Sequence, residues 1–332
     1  MEFTEYPDLA SERLGGRVVA ANDEFFAPKE NLIKAAAPII IEDKFTDRGK
    51  WMDGWETRRR RTPGFDWCIV QLGLAGRIRA VVLDTSFFRG NFPEHASLEA
   101  CALDGAPSPQ QLDSVSVQWT EVLPKSPLRG DAKIVFPVEA PGRYTHLRLK
   151  IYPDGGVARL RVHGEVLPDW ETLSHARELD LVALANGGLV VASSDVFFGS
   201  SQSLILPGPS LGMHDGWETR RRRGPGHDWA MIRLGARGEI HRVEVGTSFF
   251  KGNFPESCWV DVCSAPDEVS GEAALAQLPW RVILPRSPLR ADANHVFEKE
   301  LHPSGYTTHL RLNIFPDGGI ARLRAFGTLA AK

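Results

Sequence analysis

The sequence contains one long segment twice. Residues 53–101, which begin DGWETRRRR, recur without a gap as residues 215–263, and more than half of the positions are identical. HLRLKIYPDGGVARLRVHG, at 146–164, returns as HLRLNIFPDGGIARLRAFG, at 309–327. A period of about 160 residues is far longer than solenoid repeats, which run from about 20 to 50 residues. We therefore predict two copies of one whole domain within the 332 residues.

Alternating apolar and polar residues predict β-strands in each copy. In HLRLKIY, Leu147, Leu149 and Ile151 alternate with polar residues, and ARLRVHG, at 158–164, has the same period of two. This period is typical of half-buried strands. The turn-forming PDGG segment at 153–156 separates the two strands, which predicts an antiparallel hairpin. We expect an all-β protein of two tandem homologous antiparallel β-sandwich repeats with jelly-roll-like connections.

The ends of the two copies predict the domain boundaries. We assign residues 1–167 to the first β-sandwich repeat, residues 168–185 to a linker and residues 186–332 to the second repeat. A short helix is predicted at 170–179, without enough apolar residues for a core of its own. The chain is thus expected to hold two domains joined by a short connection.

The first copy is longer than the second before the DGWETRRRR segment. Asp23 precedes Asp53 by 30 positions, whereas Asp195 precedes Asp215 by 20. We place the additional residues in KENLIKAAAPII, at 29–40, and its neighbours, and predict a loop or short helix that only the first copy has.

Composition and charge argue against several classes of partner. The 39 basic and 42 acidic side chains leave a net charge of -3, so we expect no nucleic-acid partner. No apolar run approaches the roughly 18 residues of a membrane span, and the acidic start is unlike a secretory signal, so we expect no membrane partner. Four cysteines do not form a disulfide framework. We expect a soluble, cytoplasmic protein.

Each copy carries four consecutive arginines, at 58–61 and 220–223. In an extended segment alternate side chains face opposite sides, so at most two of each run converge on one ligand. Guanidinium groups suit bidentate recognition of a carboxylate or phosphate. The candidate substrate-binding arginines are Arg59, Arg61, Arg221 and Arg223. The alternative is a solvated edge strand with ion pairs to Asp53, Glu56 or Asp66.

The polar loops that recur between the copies also contain acids and amides. A general acid or base needs a titratable group beside the substrate. The candidate catalytic residues are Glu56, Glu94, Glu218 and Glu256. The further candidate substrate-binding residues are Asp66, Asn91, His227, Asp228 and Asn253. A turn or a strand entry also uses these residue types, so a purely structural role is the alternative for each.

Motifs for metals and nucleotides are missing from the sequence. The histidines form no HxH or HExxH pattern, and no cysteine pair has zinc spacing. GxSxG, P-loop and GxGxxG-helix motifs are also missing. We expect no cofactor and no dedicated metal site, although a loosely bound divalent ion held by carboxylates stays open because oxygen-ligand sites lack a strict spacing.

The doubled motif set resembles one family. DGWETRRRR followed by DW, TSFFRGNFPE and PDGG with ARLR are similar to allantoicases (allantoate amidinohydrolases) over nearly the whole chain. The resemblance implies jelly-roll repeats, a homo-oligomer and a hydrolase acting on linear amidines. It implies the conversion of allantoate and water into ureidoglycolate and urea, in allantoin (purine) catabolism.

The residue types in the recurring loops suit this chemistry, but they do not show which residue has which role. An arginine would bind the carboxylate, amides and acids would bond the planar ureido groups, and a carboxyl group would act as acid and then as base. The sequence leaves open which residue is the base, and whether each repeat holds a site or the repeats share one. The competing hypothesis is a non-catalytic jelly-roll module that binds a small anionic or sugar ligand through Trp55, Phe87, Phe88 and Phe92.

Overall fold

A computed structural model describes residues 3–330 apart from positions 104, 106, 113 and 115. The outer ends predicted for the two repeats, residues 1 and 332, lie outside the described residues. One compact unit comprises Tyr6–Leu167, and the other comprises the chain from Pro168 on together with the segment before Tyr6. Among the described residues, no helix combines the length and the apolar character that crossing a membrane requires.

The regular secondary structure of the first unit is mostly antiparallel β-strand. Its strands are β1 (Arg17–Ala21), β2 (Phe45–Thr46), β3 (Gly49–Lys50), β4 (Trp55–Glu56), β5 (Asp66–Asp84), β6 (His95–Cys101), β7 (Thr120–Pro127), β8 (Lys133–Pro137), β9 (Tyr144–Tyr152), β10 (Gly156–Val157) and β11 (Arg159–Val166). Its helical segments are 3-10 turns at Glu12–Leu14 and Lys29–Ile33 and the short helix α1 (Pro109–Leu112).

The long strand β5 organises this unit because it has different partners along its length. Its first part pairs with β1 and β9, and β9 continues through β6 to β7. Its last part, from Gly76 to Asp84, pairs with β11, and β8 pairs with the end of the same stretch. The register of the β5–β9 pair is interrupted between Gln71 and Gly76, where β5 passes from one set of partners to the other.

The second unit repeats this arrangement. Its strands are β12 (Leu179–Asp180), β13 (Leu189–Ser193), β14 (Trp217–Glu218), β15 (Asp228–Gly246), β16 (Ser257–Cys263), β17 (Arg281–Pro288), β18 (Asn294–Phe297), β19 (Thr307–Phe315), β20 (Gly319–Ile320) and β21 (Arg322–Leu329). Its helical segments are α2 (Trp170–Leu173), α3 (Glu272–Ala276) and 3-10 turns at Phe3–Glu5, Leu184–Asn186, Ser201–Ile205 and Met213–Asp215. Strand β15 takes the place of β5: it pairs with β13 and β19 early and with β21 and β18 late.

The predicted all-β tandem fold is confirmed, and alternation placed the core correctly. Leu147, Leu149 and Ile151 of β9 are fully buried, as are Leu160 and Val162 of β11. Burial of a large aliphatic side chain contributes about 1.5–3 kcal/mol, so these rows of residues stabilise the sandwich substantially.

The predicted hairpin across the PDGG segment is wrong. Strands β9 and β11 both pair with β5, but at different parts of it. Between them, the chain leaves the sheet and forms β10, which pairs with β4. Alternation shows that a segment is a strand but does not identify the strand beside it.

The ten additional residues of the first copy lie later than predicted. The turn Lys29–Ile33 is common to both copies, since Ser201–Ile205 forms the same 3-10 turn in the second. The Ile39 amide donates to Asp53, as the Leu211 amide does to Asp215, so the additional residues follow Ile39. They contain the hairpin β2–β3, in which Phe45 pairs with Lys50.

The segment predicted as a linker, 168–185, is partly built into the second unit. Its helix α2 covers only Trp170–Leu173, the start of the predicted 170–179. Strand β12 pairs with β21, and Leu181 and Val182 after it are buried. These apolar side chains lack helical spacing, and β12 forms an edge strand of the second sheet.

A buried ion pair fixes the start of the DGWETRRRR segment in the first unit. Arg159 of β11 donates to the Asp53 carboxylate at 2.7 Å and to the Asp53 carbonyl at 2.9 Å, and only about 1% of Arg159 is exposed. Burial raises the pKa of Asp53, but the hydrogen bonds from Arg159 and the Ile39 amide outweigh it and hold the pKa below its usual value. Arg322 and Asp215 form the same pair in the second unit.

Replacing Arg159 with methionine is expected to destabilise the protein by about 3–5 kcal/mol, because Asp53 then keeps a buried charge without its main partner. The matched control is Arg58→Met, which breaks an ion pair with Asp23 whose arginine is exposed and should cost about 0–1 kcal/mol. Urea unfolding measures both variants. Equal costs for the two would contradict the structural role of the buried pair.

Candidate active site

Three recurring loop segments meet at one place in the first unit. The Gly156 amide donates to the Asn91 carbonyl at 2.7 Å, which joins the PDGG segment to the GNFPE loop. The Thr57 amide donates to the Gly155 carbonyl at 3.1 Å, which joins the PDGG segment to the residues after β4. These backbone contacts bring Glu56, Asn91 and the arginine run to a common cleft.

Glycine is needed where these segments touch. A Cβ atom at Gly156 would lie 2.0 Å from the buried ring of Phe88. Gly155 has a φ of 134°, and a Cβ there would lie 2.7 Å from the Asn91 carbonyl oxygen. The two glycines of PDGG therefore allow the close approach that builds the cleft, and the same motif recurs in the second unit.

Glu56 is the buried acid of this site. It ends β4, and its Oε1 accepts a hydrogen bond of 2.7 Å from Asn91 Nδ2. The residue is 9% exposed. Burial raises the pKa of Glu56, and the hydrogen bond from Asn91 lowers it only in part. A raised pKa suits a carboxyl group that donates a proton.

Two arginines of the run form ion pairs within the protein, and the other two are exposed. Arg58 pairs with Asp23 at 2.6 Å, and Arg60 pairs with the buried Asp66 at 2.6 Å. The other two, Arg59 and Arg61, are exposed and line a cleft of about 660 Å³ together with Glu56. Arg58 lines the same cleft with its guanidinium paired to Asp23, whereas Arg60 is paired with Asp66 and is not part of the lining.

The cleft also contains groups that the sequence did not single out. Asp154 lines it and accepts a hydrogen bond of 2.8 Å from the Arg60 amide, which orients the arginine run. Phe25 and Phe26 form another side, and Thr57 lies beside Glu56. Repetition was the available signal, because the Asp-x-Phe-Phe pattern and the later PDGG segment both occur in each copy.

Several sequence candidates lie elsewhere. Glu94 and Glu256 are exposed, and Glu256 contacts Arg286 at 3.3 Å on the surface. Asp66 is 2% exposed and accepts hydrogen bonds from Arg60 and Asn22, so the structure gives it a packing role. The sequence did not separate these candidates from the residues of the cleft, because a loop motif does not reveal which of its side chains point inward.

The second unit builds the same contacts. Glu218 accepts a hydrogen bond of 2.6 Å from Asn253, and the Gly319 amide donates to the Asn253 carbonyl at 2.8 Å. Arg221 and Arg223 are exposed, as their counterparts are.

The other candidates of the second unit have structural partners. Asp228 pairs with Arg222, as Asp66 does with Arg60. His227 packs against Trp259 and Phe315, and its Nε2 lies 3.1 Å from Asn313 Oδ1. These contacts give both side chains positions that packing alone accounts for.

The described residues contain no group of three or more His, Cys, Asp or Glu side chains positioned to hold a metal ion. The cleft is lined by three arginines, of which Arg58 is paired with Asp23, and by an acid with a raised pKa and an amide. Such a set can bind a small carboxylate and exchange a proton with a group bound beside it.

The fold is that of a tandem β-sandwich protein, and each repeat has a Glu–Asn hydrogen bond beside its arginine run. The allantoicase repeat model matches residues 7–167 and 179–330. The chain is 46% identical to probable allantoicase 1 of Burkholderia mallei, over 99% of this chain and 96% of that protein. It is 47% identical to the allantoicase of Dictyostelium discoideum, over 97% and 86% respectively.

A solved structure agrees with these sequence matches. The crystal structure of allantoicase from Saccharomyces cerevisiae superposes with a TM-score of 0.81 at 36% identity, covering 97% of this chain and 93% of the other. The chain belongs to the allantoicase family.

Replacing Glu56 with glutamine is expected to stabilise the protein at pH 7. The folded pKa of Glu56 lies above its ordinary value of 4.5, so the native carboxyl resists ionisation and its contribution to stability falls as pH rises through the folded pKa. Glutamine does not ionise, so the variant avoids this loss of stability. The difference in free energy of unfolding between the variant and the wild type should shrink as pH falls towards 4.5.

Urea unfolding at several pH values measures this effect. Glu94→Gln, at an exposed position of the GNFPE loop, serves as the control and should show no such pH trend. A Glu56→Gln protein that is less stable than wild type at pH 7 would show that the buried carboxylate is favourably solvated by its surroundings.

Proposed function

We propose that the chain hydrolyses allantoate to ureidoglycolate and urea, in allantoin catabolism. Two relatives that it matches at 46–47% identity are named allantoicase or probable allantoicase. The observation that carries the proposal is the cleft in which the buried Glu56 lies beside the exposed Arg59 and Arg61. Allantoate needs such a set, because it has one carboxylate and two ureido groups on a single carbon.

The arginines bind the substrate carboxylate. Arg59 and Arg61 are adjacent on one side of an extended segment, and the acids at their neighbours Arg58 and Arg60 leave them available to a ligand. Guanidinium–carboxylate contacts are charge-assisted and often bidentate. The carboxylate therefore fixes one end of the substrate and directs the central carbon towards Glu56.

Glu56 transfers the proton in both halves of the reaction. The carbon–nitrogen bond to one ureido group breaks, and its nitrogen takes the Glu56 proton and leaves as urea. The remaining ureido nitrogen forms a double bond to the central carbon. Water then adds to this carbon and returns a proton to Glu56. The raised pKa of Glu56 favours the first step, since it increases the protonated fraction of this acid at a given pH.

Asn91 positions the acid. Its Nδ2 holds Glu56 Oε1 at 2.7 Å, so the other oxygen is directed to the substrate. The Glu218–Asn253 pair of the second unit has the same geometry, and Arg221 and Arg223 accompany it. The proposed chemistry therefore has equivalent residues in both repeats.

Release of urea from allantoate tests the proposal. The double variant Glu56→Gln/Glu218→Gln is expected to lose about 10²–10⁴-fold in kcat, which is the usual contribution of general acid–base catalysis. The matched control is Glu94→Gln/Glu256→Gln, which changes two exposed acids of the equivalent loops and should retain turnover. A wild-type protein that releases no urea from allantoate would refute the function.

Replacing Arg59 with alanine is expected to raise KM for allantoate about tenfold to a hundredfold, because a hydrogen bond between charged groups contributes about 1.5–3 kcal/mol. Arg177→Ala, at an exposed arginine of the segment after Leu167, is the control. Steady-state kinetics measure both variants. An unchanged KM in Arg59→Ala would remove this residue from the binding site.

The remaining properties are proposals of the same kind. We propose a cytoplasmic homo-oligomer without nucleic-acid or membrane partners, and the four free, buried cysteines are consistent with a reducing compartment. We also propose that no cofactor is required. Urea release that stops with EDTA and returns with Mg²⁺ or Mn²⁺ would contradict this last point and favour a divalent ion held by carboxylates.

A further inference from the structure

The cleft of the first unit continues into a second cavity. The larger cavity, of about 660 Å³, contains the arginine run, and a smaller one of about 340 Å³ adjoins it. Both are lined by Phe26, Glu56, Gly90 and Asn91. Glu56 and its partner Asn91 therefore lie where the two cavities meet.

The hairpin β2–β3 forms one side of the smaller cavity. Lys50 and Gly49 line it, and Lys50 is exposed to solvent. Arg48 at the turn donates to the Phe25 carbonyl at 2.9 Å, and its guanidinium lies 5.0 Å from the centre of the Phe25 ring. These contacts hold the hairpin against the aromatic side of the cleft.

The second unit has no counterpart to this hairpin, because its sequence lacks the ten residues. Its Phe198 is 57% exposed, compared with 37% for the equivalent Phe26. Glu218 is half-buried, whereas Glu56 is buried. Lys251 corresponds to Arg89, so a cation in the GNFPE loop is common to both units, but Lys50 is specific to the first.

We propose that the first repeat is the site of turnover, and that Lys50 binds the carbonyl oxygen of the ureido group that leaves as urea. This inference rests on the proposed function and deepens it. The substrate carboxylate lies with Arg59 and Arg61 in the larger cavity, and the leaving group enters the smaller one. Glu56, between them, faces the carbon–nitrogen bond that breaks.

Lys50 assists the step by electrostatics. As the carbon–nitrogen bond breaks, its electron pair moves to the ureido nitrogen and delocalises onto the ureido oxygen, and the nitrogen takes the Glu56 proton. An ammonium group beside that oxygen stabilises the developing negative charge. Lys50 keeps its own protons throughout, and the products are ureidoglycolate and urea after water adds to the central carbon.

The single variant Glu56→Gln counts the working sites. Two equal sites would leave about half of the wild-type kcat, whereas one site in the first repeat leaves about a hundredth or less. Circular dichroism and the unfolding curve establish that the variant is folded. Retention of a tenth or more of the wild-type kcat overturns the assignment of turnover to the first repeat.

The variant Lys50→Ala tests the second part of the proposal. It is expected to lower kcat/KM about tenfold or more through the loss of one charged contact, and Lys50→Arg should restore most of it. The matched control is Lys44→Ala in the same insertion, whose ammonium lies over the Trp51 ring, 4.1 Å from its centre. Equal kinetics for Lys50→Ala and Lys44→Ala overturn the role of Lys50.

These outcomes differ from failure of the function itself. If the wild-type protein releases no urea from allantoate, the proposed function fails and no kinetics are obtained. If the wild type is active but Glu56→Gln keeps half of the turnover, the function stands and the assignment to one repeat is overturned. Lys50 lies on the surface, so its substitution should leave folding unchanged.

Discussion

The site depends on the hydrogen bond from Asn91 to Glu56. This contact joins the GNFPE loop to the end of β4, and it holds a buried carboxyl group with a neutral partner. An arginine in the place of Asn91 would favour the carboxylate and lower the pKa of the acid. The hydrogen bond from the amide also lowers the pKa of Glu56, but burial outweighs it and the pKa is raised.

Two of the four arginines in the run near Glu56 are paired with acids. Asp23 neutralises Arg58, and Asp66 neutralises Arg60. Arg58 also lines the cleft but is paired with Asp23, so the alternate pair Arg59 and Arg61 supplies the remaining cations of the lining. An arginine run in a chain of net charge -3 thus supplies a local cationic site suited to one small carboxylate.

Duplication preserved the contacts that build the site and altered what surrounds it. Both units have the buried Arg–Asp pair, the PDGG contact and the Glu–Asn hydrogen bond. In the first unit, residues of the hairpin β2–β3 line a cavity together with the acid, and the sequence of the second copy lacks this insertion. The two sites therefore differ in the solvent exposure of equivalent residues and in the presence of the hairpin.

Much of the fold was predictable from the sequence. The strand partners and the burial of the site residues were not, for physical reasons. The repeat and the strands followed from identity and alternation, as the buried Leu147 and Leu149 show. The partner of each strand did not, because pairing across PDGG depends on how β5 passes from one set of partners to the other. Burial distinguishes Glu56 from Glu94, and side-chain burial within a loop has no period that a sequence displays.

The pKa of Glu56 in the folded protein is the most direct measure of its role as the acid. Carbon-13 NMR of glutamate-labelled protein, with the Glu56→Gln variant used to assign the signal, follows this carboxyl group as pH changes. The structure predicts a midpoint above 4.5, because burial outweighs the hydrogen bond from Asn91. A midpoint at or below 4.5 would contradict it, since burial would then not raise the pKa of this acid above its ordinary value.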